Sequence, residues 1–190
     1  LNALWAGDPV GLHKYPTNPT QLANWQLYFS RVLHTVTSTS GYVAADLWWA
    51  ASALPASERL QFLAGQYIDI LLKDGTRRSF SMGNAPHEDE FVQLHIRHVP
   101  GGSFTGYVFE KMKEREILRM EGPLGSFYLR EESDKPIIFV ASGTGFAPIK
   151  AVIEHALYRE TKRPMTLYWG GRRPKDIYMM DLCRRWAETV

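Results

Sequence analysis

A glycine-rich turn between an apolar run and an amphipathic pattern is the feature that most constrains the fold of this 190-residue chain. Residues 136–141 form a continuous apolar run, as is typical of a parallel strand buried on both faces. After the turn, apolar residues recur at the spacing of one helix face: Ile149, Val152, Ile153, Ala156 and Leu157. A second apolar run at 165–169 is followed by a second helical pattern: Met179, Leu182, Cys183 and Trp186. The sequence therefore predicts strand, helix, strand, helix, which is part of a Rossmann-like parallel sheet.

The turn itself, Gly143-Thr144-Gly145-Phe146-Ala147-Pro148, is typical of a phosphate-binding loop. Glycines let the backbone approach a phosphate closely, and Pro148 suits the start of a helix. The N–H groups at the start of the following helix favour an anion. The third glycine of the usual dinucleotide pattern is replaced by Ala147, so a plain tight turn remains the alternative.

Short alternating segments over residues 62–129 favour a small antiparallel β-barrel of Greek-key type. Strands are predicted at 66–72, 76–83, 91–98, 116–121 and 126–129, with a hairpin turn at Asp74-Gly75 and one helix at 105–113. Five apolar residues are predicted to share the barrel core: Ile68, Ile70, Val92, Leu94 and Ile96. Further strands are expected at 30–37 and 42–50. We therefore divide the chain into an irregular extension (1–30), a barrel domain (31–132) and a partial α/β domain (133–190).

Two motifs in the barrel segment are suited to a bound anion. Arg78 and Phe80 share one strand face, so a guanidinium and a flat aromatic ring would line the same ligand. Gly101-Gly102-Ser103-Phe104-Thr105 opens a helix, which is a construction that suits phosphate. The alternatives are an ordinary surface arginine with a core phenylalanine, and a helix capped by Ser103 or Thr105.

Gly170-Gly171-Arg172-Arg173 follows the second apolar run. A dinucleotide site selective for NAD often carries an acidic residue here, whereas arginines suit a 2′-phosphate. A solvated basic loop is the alternative.

Composition excludes several other classes of function. Cys183 is the only cysteine, so the chain cannot hold an iron–sulfur cluster by itself, and we expect it to pack in the core. A net charge of +2 gives no support for binding to nucleic acid or to an anionic membrane. His95 and His98 lie on opposite strand faces and cannot share a metal, so no metal site is expected. No membrane span or secretory signal is visible, and a cytoplasmic location is expected.

Taken together and in this order, the motifs R-x-[FY]-S, G-G-x-x-[ST] and G-T-G-x-A-P resemble those of the ferredoxin–NADP⁺ reductase superfamily. The likeness spans about residues 54–189. The sequence between these motifs is also similar to those of bacterial CDP-6-deoxy-Δ3,4-glucoseen reductases and of reductase components of aromatic oxygenases. The resemblance implies an FAD-binding barrel followed by an NAD(P)-binding domain. Hydride would pass from NAD(P)H to FAD, and single electrons would then pass to a redox partner. That partner would be an iron–sulfur protein or domain, or an oxygenase or dehydratase component.

The resemblance also implies roles for individual residues. Arg78 would pair with an FAD phosphate, while Phe80 and Ser81 form the catalytic pair, stacking on the isoalloxazine and hydrogen-bonding near flavin N5. The other FAD-binding candidates are His95, Arg97, Gly101, Gly102 and Thr105. The nicotinamide nucleotide would be bound by Gly143, Thr144, Gly145, Pro148, Gly170, Arg172 and Arg173. The α/β segment contains two predicted strands, so a truncated flavin-binding module unable to oxidise NAD(P)H is the alternative hypothesis.

Overall fold

The structure is a computed structural model that describes residues 3–5, 8–13, 27–37, 42–49, 60–113 and 118–189. Its strands are β1 (Ala3–Trp5), β2 (Asp8–His13), β3 (Leu27–Thr37), β4 (Tyr42–Trp49), β5 (Tyr67–Leu71), β6 (Arg77–Ser81), β7 (Phe91–Arg97), β8 (Leu118–Leu124), β9 (Ile137–Ser142) and β10 (Met165–Gly170). Its α-helices are α1 (Ser103–Glu110), α2 (Phe146–Tyr158) and α3 (Met180–Thr189).

Six antiparallel strands form a ring of pairings in the order β3, β4, β7, β6, β5, β8. The join between β7 and β6 is short. It consists of an isolated bridge from Met82 to Leu94 and a hydrogen bond of 2.7 Å from the Gly83 N–H to the Gln93 carbonyl. Strand β4 lies beside β7 and not beside β5, its neighbour in sequence, which is the Greek-key arrangement. The predicted class of barrel is therefore confirmed.

The barrel core contains the residues that the alternation predicted. Ile68, Ile70, Val92, Leu94 and Ile96 are all buried in one cluster. Phe104 and Val108 of α1 are buried in the same cluster, so α1 packs on the barrel core. The Asp74-Gly75 turn also forms as predicted, with Gly75 at φ +82° and the Leu72 N–H donating to the Thr76 carbonyl at 2.8 Å.

The second unit is a two-stranded parallel sheet, in which β9 pairs with β10 in register from Ile137–Met165 to Ser142–Gly170. The predicted face of α2 packs on this sheet, and α3 packs into the same cluster through Cys183 and Trp186. Burial of β9 on both faces was predicted and is wrong: Ile138 and Val140 are 68% and 75% exposed. Because α2 and α3 pack into one apolar cluster, alternate residues of β9 remain exposed.

Two further predictions differ from the structure. Residues 126–129 form a loop and not a strand, because Gly125 turns the chain at φ +89° and Phe127 and Tyr128 are exposed. Strands β1 and β2 lie within the segment for which irregular structure was predicted, and they pair with each other and with β3. Residues 14–26 of that segment lie outside the described residues.

Candidate functional site

Within the described part of the chain, strand β6 has one paired edge and one largely open edge. It pairs with β5 along its whole length, while its join to β7 lies only at its carboxyl end. Pairing with β5 places Arg78 and Phe80 on the face that carries the buried core and Ser81 on the opposite face. A ligand that contacts all three side chains must therefore lie along the open edge of β6.

The two adjacent arginines of β6 have different surroundings. Arg77 forms an ion pair with Glu121 and lies 3.8 Å from Asp69, both on the outer face of the barrel. Arg78 is exposed, and its Nη1 donates to the Arg77 carbonyl at 2.7 Å. Among the described residues, no ion pair is formed by Arg78. Its guanidinium is therefore available to an anion, whereas that of Arg77 is engaged.

The loop that leads into α1 is held in shape by side-chain to backbone hydrogen bonds. Gly101 has φ +75°, and the Thr105 hydroxyl both accepts from the Val99 N–H at 3.3 Å and donates to the Val99 carbonyl at 3.2 Å. A Cβ on Gly102 would lie 2.5 Å from the Thr105 Oγ1, so a side chain there would disrupt this loop. In the part of the chain that the structure describes, no side chain caps the helix, and its first turn has no acidic residue, which leaves N–H groups that suit an anion.

An aromatic contact joins this helix start to β6. The rings of Phe80 and Phe104 lie 5.4 Å apart between centroids, tilted by 47°. Phe104 is buried in the barrel core, and its backbone belongs to the first turn of α1. The proposed flavin-stacking residue and the proposed phosphate loop are therefore neighbours.

The glycine-rich turn of the second unit begins with a 3-10 turn, Gly143–Gly145, that leads directly into α2. Gly143 has φ +53°, and its carbonyl accepts a hydrogen bond of 3.2 Å from the Trp169 Nε1. Trp169 also stacks on Phe146, with 3.8 Å between ring centroids. Trp169 of β10 thus fixes the turn from its inner side.

The outer side of the same turn is open. No heavy atom of the described residues lies within 4 Å of the position that a Cβ on Gly145 would take. Thr144 is half-buried, and Pro148 is the third residue of α2, not the first as predicted. Among the described residues, no side chain caps this helix either, which leaves its first N–H groups suited to an anion.

Lys150 of α2 connects the second unit to the barrel. Its Nζ donates to the Gly83 carbonyl at 3.0 Å and to Glu154 Oε2 at 2.7 Å, although the lysine is only 6% exposed. Burial raises the pKa of Glu154, and its contact with Lys150 opposes that shift. The His87 ring stacks on Tyr158 of α2 at 4.0 Å and adds a second connection.

His95 of β7 is a third connection. Its Nδ1 lies 2.7 Å from the Tyr178 hydroxyl, and its Nε2 lies 3.2 Å from Gln93 Oε1. Burial, assisted by the charge of Lys150, lowers the pKa of His95 to about 3. The ring is therefore neutral, with Nε2–H donating to Gln93 and the Tyr178 hydroxyl donating to Nδ1.

The carboxyl ends of β9 and β10 meet at one edge of the parallel sheet. Gly143 follows β9 at this edge, and Gly170 ends β10 beside Ser142. Arg172 and Arg173 are exposed just beyond, where the Arg173 N–H donates to Asp176 Oδ2 at 3.1 Å. The two nucleotide motifs therefore share the edge at which ligands bind in such sheets.

The structure brings most of the predicted site residues into two groups. One group comprises Arg78, Phe80 and Ser81 with the Gly101–Thr105 loop, and the other comprises residues 143–148 with 170–173. The hydrogen bond from Lys150 to Gly83 holds α2 at the end of β6. Arg97 is exposed at the end of β7, whereas His95 is engaged between the two units.

Sequence reasoning missed Lys150 and Tyr178, which join the units, and Trp169, which holds the glycine turn. A signal for Lys150 was present, since it is the one charged residue in the apolar stretch from Phe146 to Ile153. Tyr178 and Trp169 gave no such signal, because buried aromatic residues are common in any core.

Among the residues that the structure describes, no three His, Cys, Asp or Glu side chains are placed to hold a metal ion. No helix in the described part of the chain is long and apolar enough to cross a bilayer.

The oxidoreductase FAD-binding domain family matches residues 37–128, and the oxidoreductase NAD-binding domain family matches residues 139–190. This chain therefore combines the FAD-binding and NAD-binding domains of an oxidoreductase family. In this family, the two domains imply FAD and NAD(P)H as cofactors.

Reductases of oxygenase and deoxysugar systems are similar in sequence. The terephthalate 1,2-dioxygenase reductase component 1 of Comamonas sp is 45% identical over 146 residues, which are 77% of this chain and 43% of that protein. The CDP-6-deoxy-L-threo-D-glycero-4-hexulose-3-dehydrase reductase of Yersinia pseudotuberculosis is 39% identical over 146 residues, which are 77% of this chain and 44% of that protein. The chain thus spans less than half the length of these relatives.

A similar solved structure is that of an Amycolatopsis cytochrome P450 reductase. It has a TM-score of 0.74 and 30% identity, and the match covers 87% of this chain and 50% of that one. Phthalate dioxygenase reductase, with a TM-score of 0.66 and 20% identity over 78% of this chain and 44% of that one, shares the fold.

The residues of this reductase-like chain fit an FAD. A Cβ on Gly102 would fill the cradle at the start of α1, the helix start there has no side-chain cap, and Arg78 has no ion-pair partner among the described residues. An anionic pyrophosphate suits such a set of donors.

Proposed function

We propose that this chain is the flavin- and nicotinamide-binding part of an NAD(P)H-dependent reductase. The observation that carries this proposal is the packing of the second unit's glycine turn and helix against the end of β6, where Lys150 of α2 bonds to the Gly83 carbonyl. This packing brings an anion-binding helix start from each unit towards one seam. The division into a barrel domain of residues 31–132 and a nucleotide domain of 133–190 is part of the proposal.

On the barrel side, Arg78 binds an FAD phosphate and Phe80 stacks on the flavin ring. Ser81 donates or accepts one hydrogen bond from the other face of β6, near flavin N5. Gly101 and Gly102 let the backbone N–H groups at the start of α1 approach the pyrophosphate. The Thr105 hydroxyl is hydrogen-bonded to the Val99 backbone, so it supports FAD binding indirectly by holding the shape of the loop.

On the nucleotide side, residues 143–145 and Pro148 shape the turn that holds the nicotinamide nucleotide. Gly170 lets the nucleotide approach the sheet edge, and Arg172 or Arg173 lies near its adenosine end. Arg97, exposed at the end of β7, is kept as an FAD-binding candidate. His95 positions the two units and does not contact the cofactor, because its two ring nitrogens are hydrogen-bonded to Tyr178 and Gln93.

The chemistry that FAD supplies when bound is the acceptance of a hydride and the release of electrons one at a time. The protein needs little acid–base machinery for this. Its residues hold two flat rings in register and exclude water from the seam between the units. His95, which is neutral, and Lys150, which is ion-paired with Glu154, join the two units without placing an unpaired charge at this seam.

We further propose a redox partner that accepts single electrons, namely an iron–sulfur protein or domain or an oxygenase or dehydratase component. The similarity to reductases of dioxygenase and dehydrase systems supports this. A cytoplasmic location completes the proposal, because the hydride donor is the NAD(P)H of that compartment.

A second candidate is a flavin-binding module that does not oxidise NAD(P)H. The exposed apolar residues Ile138 and Val140 favour it, because a two-stranded sheet with one open face gives a nucleotide little support.

Anaerobic reduction distinguishes the two candidates. The purified chain is loaded with FAD, and NADH or NADPH is added while the visible flavin absorbance is followed. Bleaching at a rate that saturates with nucleotide concentration supports the reductase. If dithionite bleaches the bound flavin but neither NADH nor NADPH does, the result supports the module. Absence of flavin binding contradicts both.

A further inference from the structure

Lys150 is a buried charge with one partner in each unit. Lysine is rarely buried unless its charge is paired, yet Lys150 is only 6% exposed within the otherwise apolar start of α2. Its Nζ donates to Glu154 Oε2 at 2.7 Å, one turn further along the same helix, and to the Gly83 carbonyl of the barrel at 3.0 Å. An ion pair within one helix needs no contact with the barrel, so the bond to Gly83 requires a separate explanation.

The Gly83 backbone is held from two sides just after β6. Gly83 follows Ser81 by two residues, or about 7 Å in a strand. Its N–H donates to the Gln93 carbonyl of β7 at 2.7 Å, and its carbonyl accepts from Lys150. A Cβ on Gly83 would lie 2.8 Å from the His95 Nε2, so a side chain here would displace the His95 ring. The flavin end of β6 is therefore fixed by β7 on one side and by α2 on the other.

Helix α2 connects Gly83 to the glycine turn. Gly145 is the N-cap of α2 and Lys150 is the fifth residue of the helix, so the two lie about 7.5 Å apart along the helix axis. Phe146 and Ile149, which lie between them, are buried in the core of the second unit. Fewer than two helical turns and one hydrogen bond therefore separate the nucleotide turn from the end of β6.

The other two contacts between the units act elsewhere. His87 stacks on Tyr158, the last residue of α2, about 12 Å beyond Lys150 along the helix. His95 reaches the second unit through Tyr178, which precedes α3. Of these three contacts, that of Lys150 is the one made within the first two turns of the helix that follows the glycine turn.

We propose that Lys150 is a positioning residue that couples the two ligand sites, so that FAD and the nicotinamide nucleotide each strengthen the binding of the other. The inference rests on the proposed function, since it assumes a flavin ring at Ser81 and a nucleotide at residues 143–148. Lys150 contacts neither ligand. It holds the Gly83 carbonyl at a fixed distance from the glycine turn, and this sets the separation of the two rings.

The test measures how strongly one ligand affects the binding of the other. The dissociation constants of NAD⁺ and NADP⁺, oxidised forms that transfer no hydride to FAD, are measured by calorimetry with the full chain, first free of flavin and then saturated with FAD. The ratio of the two constants is the coupling factor, and linkage requires the same factor for the effect of the nucleotide on FAD binding. A second measurement is the limiting rate at which NADH or NADPH bleaches the bound flavin without oxygen.

The main variant is the double substitution Lys150→Met/Glu154→Gln. It removes the bond to Gly83 and leaves no unpaired charge buried in α2. Its matched control is Glu154→Gln alone, in which the lysine keeps its bond to Gly83 and the amide oxygen can still accept from it. A second control, Lys162→Met, removes an exposed lysine beyond the end of α2.

We expect a coupling factor of at least about five in the wild type and in both controls. The double variant should have a factor close to one, while its affinities for each ligand alone stay within about twofold of the wild type, which also shows that it is folded. Its limiting rate of flavin reduction should fall about ten- to hundredfold with little change in KM, because the rings are held less accurately.

A wild-type coupling factor of one overturns this inference while leaving the proposed function intact, and so does an unchanged factor in the double variant. Loss of coupling in Glu154→Gln alone overturns it too, because the ion pair and not the bond to Gly83 would then be responsible. If the double variant binds neither ligand alone, Lys150 has a structural role only and the inference is wrong. A wild type that binds no flavin overturns the proposed function, and this inference with it.

Discussion

The two neighbouring arginines of β6 provide a sharp test of the proposed flavin site. Arg78→Ala removes a guanidinium that has no ion-pair partner among the described residues. Arg77→Ala removes one that is engaged with Glu121 and Asp69 on the outer face. The two substitutions delete the same group from adjacent positions, so that they differ mainly in the face of the strand that they affect.

The expected magnitudes follow from these surroundings. A charge-assisted hydrogen bond to phosphate contributes about 1.5–3 kcal/mol, so that Arg78→Ala should weaken FAD binding about ten- to hundredfold. Its effect on the free energy of unfolding without FAD should be small, because the side chain is exposed. Arg77 is half-exposed, so that losing its ion pairs should cost at most about 1 kcal/mol of stability and leave FAD affinity unchanged.

Two measurements check this pair of variants. Titration of the apoprotein with FAD, followed by fluorescence quenching, gives the dissociation constants, and urea denaturation without flavin gives the free energies of unfolding. If Arg77→Ala weakens FAD binding as much as Arg78→Ala does, the assignment of the two faces is wrong. If neither variant changes the FAD constant, Arg78 is not part of the site.

Three further predictions concern the phosphate loop and the join between the units. Gly102→Ala should weaken FAD binding at least about tenfold, because its Cβ would lie 2.5 Å from the Thr105 Oγ1. The control Gly106→Ala has room for a Cβ and should stabilise α1 by about 0.5–1 kcal/mol. Flavin titration measures the change in affinity, and urea denaturation measures the change in stability. Tyr178→Phe should lower the free energy of unfolding by about 1–3 kcal/mol, because it leaves the Nδ1 of His95 buried without its 2.7 Å partner. The free energy of unfolding should fall as the pH is lowered below about 6.5, because His95 takes up a proton in the unfolded chain while its folded pKa is about 3. His95→Gln should reduce the slope of the free energy of unfolding against pH by up to about 1.4 kcal/mol per pH unit.

Each of these has a result that would contradict it. Equal FAD affinities of the Gly102→Ala and Gly106→Ala variants would show that the loop does not contact the cofactor. Unchanged stability of Tyr178→Phe would show that the contact between β7 and the second unit is not maintained in solution. An identical pH slope between pH 6.5 and 4 in wild type and His95→Gln would show that folding does not lower the pKa of His95.

From residue 66 onward, the local patterns of the sequence determined the type of every strand and helix except the strand predicted at 126–129, and they determined the order of the two units. Alternation at period two selected Ile68, Ile70, Val92, Leu94 and Ile96, and all five are buried together. These predictions succeed because the periodicity of a strand or helix is a property of its own residues. The glycine turn was visible for the same reason, since it requires small residues at fixed positions next to a strand and a helix.

The sequence could not determine which residues one unit presents to the other. His95 lies on the polar side of an alternating strand, yet it is buried because Tyr178 and Phe146 pack over it. Val140 shows the reverse, an apolar residue that is exposed because both helices pack into the cluster on the other face. In both cases burial depends on segments distant in sequence, and a local pattern carries no information about them.

The sequence by itself thus determined a barrel followed by a βα unit and the residue types suited to phosphate. Only the tertiary structure decided which of the two arginines of β6 remains available and that Thr105 is tied to its own loop. It also decided that a buried lysine and a neutral histidine join the units. The physical reason is that a charge or a hydroxyl can be used by a ligand only when no nearer partner already holds it, and those partners are set by the packing of the whole chain.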